Sequence, residues 1–142
     1  MKPILVFMFL LTALAAFGQT AAKPRQATLA QQKMCAEQAR KIFREDNPTK
    51  PEHAVTWQYT SHYEARTNVC YIMTWIVTLD QKSTVISHVV YDAFEGREYA
   101  SFTQIGKDVM ECSVSPPGED SIDCKTNDDF QRLVDKHFGI GK

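Results

Sequence analysis

The chain has 142 residues, with 16 basic and 17 acidic side chains and a formal net charge of −1. That length suits one domain, and that balance excludes a protein held to nucleic acid or to an anionic membrane by bulk charge. Four cysteines with no C-x-x-C spacing set aside a thioredoxin-like redox centre and a zinc knuckle.

The first eighteen residues, MKPILVFMFLLTALAAFG, put Lys2 ahead of an apolar run from Ile4 to Phe17 that is broken only by Thr12. Ala16 and Gly18 are the small residues that a cleavage site after Gly18 requires. This is the layout of a secretory signal peptide. The run is shorter than the roughly 20 apolar residues of a spanning helix. Residues 1–18 are therefore expected to be removed on export, to the periplasm or the cell exterior, with no stable membrane insertion afterwards. The remaining 124 residues can bury a core without a metal. In an oxidising compartment an even cysteine count reads as disulfides. Three pairings are open, and Cys35–Cys70 with Cys112–Cys124 is the favoured one. The first would tie a helix to the sheet and the second would close a loop around Pro116-Pro117-Gly118.

Residues 19–27 read as a flexible lead-in and 28–142 as a single domain. Thr28 and Gln31 have capping-box spacing, and Cys35, Ala39, Ile42 and Phe43 share one helix face. Asn47-Pro48 ends that helix. From about Val55 to Tyr63 the pattern has a period of two: Val55, Trp57, Tyr59 and Tyr63 on one face, Thr56, Gln58, Thr60 and His62 on the other. Val69–Leu79 is almost continuously apolar and reads as a central strand. Val85–Phe94 and Tyr99–Ile105 follow as strands behind the turns at Asp80–Ser83 and Glu95-Gly96. Connections this short require antiparallel neighbours. The stretch 106–125 reads as a loop, with a short hairpin around Pro116-Pro117-Gly118 inside the second disulfide. Thr126 and Asp129 start a last helix whose apolar stripe is Phe130, Leu133, Val134, His137 and Phe138, and Gly139 stops it. The expected fold is α+β: a four-stranded antiparallel meander with an N-terminal and a C-terminal helix, one or both of them across one face, and two disulfides.

Candidate chemistry is sparse. His62 falls opposite about Cys70, and His88 opposite Trp75 or Ile76. This separates them by roughly 17–20 Å along the sheet, too far to share a metal. His53 precedes the first strand and His137 lies on the inner face of the last helix. Glu119, Asp120, Asp123, Asp128 and Asp129 lack the D-x-D-x-D-G calcium spacing, and the last two suit a helix N-terminus. Asp92 and Glu98 flank the third turn, and with Glu64 and Glu95 they are the carboxylates a hydrolase would draw on. There is no G-x-S-x-G, no G-x-G-x-x-G and no P-loop, so no catalytic residue, metal ligand or cofactor is assigned. The aromatic residues gather in the strands, and the same hairpin register makes Trp57 and Trp75 cross-strand partners. They are core under the helices, or a patch on an uncovered face, where Trp57, Trp75, His62 and Tyr63 would bind a partner.

Ser61-His62-Tyr63-Glu64 followed by Asn68-Val69-Cys70-Tyr71 resembles a pattern of small exported bacterial proteins of unassigned function, S-H-Y-N…N-K-C-[FY]. Glu64 and Val69 depart from it. The resemblance implies a cysteine-tied α+β domain and no activity. The expected function is a binding or interaction module with a protein or small-molecule partner. The alternative is a small secreted hydrolase working from the sheet edge and the 106–125 loop.

Overall fold

The structure, a computed structural model, describes residues 26–80 and 82–140. The expected signal peptide and most of the lead-in lie outside the described residues.

Helix α1 (Leu29–Asp46) opens on a complete capping box: the Thr28 hydroxyl accepts from the Gln31 N–H, and the Gln31 side chain reaches back to the Thr28 N–H. It ends at Asn47, where Pro48 forbids another helical turn. Then come β1 (Ala54–Glu64), β2 (Val69–Leu79), β3 (Thr84–Asp92), β4 (Glu98–Ile105), β5 (Asp108–Val114) and β6 (Ile122–Asp123). They form one antiparallel sheet in chain order. Helix α2 (Asn127–Phe138) is capped by Thr126, carries Asp128 and Asp129 in its first turn, and stops at Gly139 in the left-handed region.

The α+β class, the two helices, the antiparallel sheet and both disulfides, Cys35–Cys70 and Cys112–Cys124, are present. The sheet has six strands where four were expected. The two additional strands occupy the stretch read as a loop. Gly106, at φ 61°, turns the chain within two residues, from Ile105 into Asp108. A bulge then drops Met110 from the ladder, since Thr103 faces Glu111 while Gln104 faces Val109. The bulge breaks the period of two that would have announced β5. The two residues of β6 are too few to show any period, and the Cys112–Cys124 bridge holds them against β5.

The helices lie on opposite faces of the sheet. Alternate residues of β2 part company. Cys70 and Ile72 join Cys35, Ala39 and Phe43 of α1. Tyr71 and Met73 join Phe130, Leu133, Val134 and Phe138 of α2. A strand covered on both sides needs apolar residues at every position, which is the pattern Val69–Met73 shows.

Candidate functional site

The β1–β2 register decides what the aromatic and histidine side chains can do together. His62 faces Tyr71, and Trp57 faces Ile76, one residue away from the pairing expected from the turn. A one-residue slip moves side chains to the other face. Trp57 is therefore not a partner of Trp75. Trp57 and Tyr63 pack with the α1 cluster, whereas Trp75 meets His88 edge to face on the α2 side. His62 is on the α2 side too, its Nε2 being 3.5 Å from where a Cβ on Gly139 would stand. His88 faces Trp75. The two histidines are thus offset by four residues along β2, about 14 Å at 3.4 Å per residue and less than expected, and are two strands apart. Among the described residues no three His, Cys, Asp or Glu side chains group to hold a metal.

His88 is fully buried. Its ring centroid lies 4.9 Å from that of Trp75, 5.7 Å from Phe102 and 5.8 Å from Phe130, and both ring nitrogens lack a hydrogen-bond partner. Burial lowers its pKa from 6.5 to about 4, because an uncompensated imidazolium is costly among aromatic rings. It is a neutral core residue. Asp92 is also buried and builds a turn: its Oδ1 accepts from the N–H groups of Phe94 and Glu95 at 2.7 and 3.3 Å. Glu98 faces Tyr91, so the Asp92–Glu98 carboxylate pair does not form across the strands. On the α1 side the Ser101 hydroxyl donates to Glu111 at 2.6 Å, a hydroxyl–carboxylate contact that periodicity could not reveal because a bulge sets it. Ser101 is only 5% exposed, which keeps its oxygen from a substrate.

Two clefts flank the end of β1. The smaller, about 320 Å³, gathers Glu64, Arg66, Tyr71, Glu119 and His137. It joins the sheet edge to the 106–125 segment, where a hydrolase was sought. The His137 Nδ1 stands 3.7 Å from Glu119, but Nε2 is buried without a partner and turned away from solvent.

The larger cavity, about 530 Å³, is bounded by Gln32, Cys35 and Ala36 of α1, by the incoming Gln26 and Ala27, and by Ser61–Ala65. Successive strand residues point to opposite faces. A cavity lined by four strand residues in a row therefore opens on the strand's edge, where backbone groups point outward. Its frame is locally braced. The Tyr63 hydroxyl accepts from Gln31 Nε2 at 3.0 Å and donates to Asn68 Oδ1, so one phenol connects the α1 cap to the β1–β2 turn. Asn68 occupies the left-handed region there (φ 59°), which asparagine tolerates better than most residues. Glu64 holds the same turn by accepting from the Arg66 N–H at 2.8 Å. Of the four residues singled out for binding, His62 and Tyr63 line this cavity, while Trp57 and Trp75 do not. Ser61, Gln26 and Gln32 are additional polar lining that alternation alone does not mark out.

No protein-family model matches the chain, and neither a curated protein nor a solved structure matches it.

Proposed function

We propose that this protein is an exported, non-catalytic binding module that takes an extended polypeptide segment along the open edge of β1 and into the adjoining cavity. One observation carries the reading: consecutive residues 61–64 of an edge strand and Ala65 of the turn after it, with the start of α1, line an open space of about 530 Å³. Such a space meets a ligand with backbone donors and acceptors, which is how strand addition gains affinity. Its lining is mostly polar, with Glu64 as its one carboxylate. Export is supported by the leader-like N-terminus and by two disulfides with no free cysteine among the described residues. No described helix is long and apolar enough to cross a membrane. The hydrolase reading is weaker, because the histidine in the cleft between the sheet edge and the 106–125 segment, His137, has its Nε2 buried.

Selection of a random-peptide display library on the oxidised protein tests the proposal. Enriched peptides should lose binding when Ala36→Arg fills the cavity from the exposed side of α1. They should keep binding in Lys136→Ala, which alters the other cleft. Absence of enrichment, or binding indifferent to Ala36→Arg, would overturn it.

A further inference from the structure

We infer that the segment seated on β1 is β1 of a second copy, giving a twofold dimer whose sheet runs through both chains; this rests on the reading of the β1 edge given above. The two edges of the sheet are unlike. β6 has two residues, which is one way proteins shorten an edge out of use. β1 has eleven, and from Thr56 to Tyr63 it holds no Lys, Arg, Asp, Glu, Pro or Gly. Its one blunting device is the bulge at Val55, which lifts only the first residues out of register. Among the described residues, no backbone or side-chain hydrogen bond reaches the outer groups of 56–63. An edge this long and this neutral pairs with another strand unless something prevents it.

Charge selects the strand and its direction. Lys50 and Glu52 precede β1, while Glu64 and Arg66 close it. A parallel copy would set each of these beside its own kind. An antiparallel copy brings the start of one strand against the end of the other. A register centred on Gln58 would oppose Glu64 to Glu52 and Arg66 to Lys50. One centred on Tyr59 opposes Thr56 to His62 and, past the Val55 bulge, brings the Arg66 end of one strand toward the Glu52 end of the other, with no like charges opposed. Both Glu52 and Arg66 are exposed, Glu52 with its carboxylate 3.5 Å from His53 Nε2. Centred on Tyr59, residues 53–57 of the second copy run past 61–65 of the first, so each copy supplies the missing wall of the other's cavity.

In that register Gln58 of one copy faces Thr60 of the other, twice by symmetry, and both side chains are exposed. Sedimentation equilibrium of the oxidised protein should show the mass doubling between about 1 µM and 1 mM. Gln58→Lys with Thr60→Lys should weaken dimerisation about tenfold or more, and Gln58→Lys with Thr60→Glu should restore it. A monomer at every concentration, or a doubly lysine-substituted chain that dimerises normally, would overturn the inference. A monomer that still binds displayed peptides at the cavity would sink the dimer alone and leave the binding module standing.

Discussion

The two faces of the sheet are closed by different means. On one, α2 interlocks aromatic rings with those of the strands: Phe138 on Tyr71 at 4.9 Å, Phe130 on Phe102 at 5.6 Å and on His88 at 5.8 Å. Buried Asn127 Oδ1 and Gln131 Nε2 of that helix have no partner, so its hold on the sheet is apolar contact. On the other face, α1 contributes Ala39 and Phe43 and is fastened at separate points by other bonds. These are the Cys35–Cys70 bridge, Gln31 on Tyr63, and Gln38 donating to the Ala93 carbonyl at 2.9 Å. Beside α2 the cleft is the smaller one, about 320 Å³, and α1 packs one aromatic ring, Phe43, on Tyr59 and Trp57. A helix held by point attachments can leave a cavity at the sheet edge, and the larger cleft lies on that side.

This difference can be broken from either side. The largest effect is expected at Phe130, which is fully buried. Phe130→Ala should cost about 3–5 kcal/mol in denaturant unfolding, with loss of α2 packing and an α1 still bonded to β2. Cutting the other attachment by Cys35→Ala with Cys70→Ala should cost about 4 kcal/mol, since that bridge closes the longer loop. Amide exchange should then quicken throughout Leu29–Asp46 while Asn127–Phe138 stays protected; equal loss of protection in both helices would show that the faces are not separately held.

The third test is pH. The folded pKa of His88, about 4, lies below its ordinary 6.5, so the unfolded chain binds the proton more readily. Stability from this group is full above pH 6.5, falls as pH drops through the window from 6.5 to 4, and levels off below it. The shift corresponds to about 3 kcal/mol, and His88→Leu should flatten that part of the profile. A profile unchanged by His88→Leu would refute a neutral, dry core histidine.

Local chemistry made much of this legible. The Thr28 cap, the stop at Asn47-Pro48 and the start at Thr126 each depend on a few neighbouring residues, and all three form as read. The strand at Val69–Leu79 announced itself by length and apolarity. Bulges at Val55, Tyr99 and Met110 were invisible, because an extra residue in one strand is defined only by its partner. His62 faces Tyr71 rather than Cys70, a shift of the same kind with a larger consequence, since it puts Trp57 and Trp75 on opposite faces.

The chain's own order of residues therefore determined the class, the helix ends, the strand at Val69–Leu79 and that the cysteines pair, with the pairing itself left among three. These follow from periodicity, caps and even sulfur count, which act over a few residues or through simple chain geometry. Only the tertiary structure decided which face each helix covers, where β5 and β6 pair, and that residues 61–65 border a cavity with α1. Each of these turns on register between segments far apart in sequence, where a shift of one residue exchanges inside for outside.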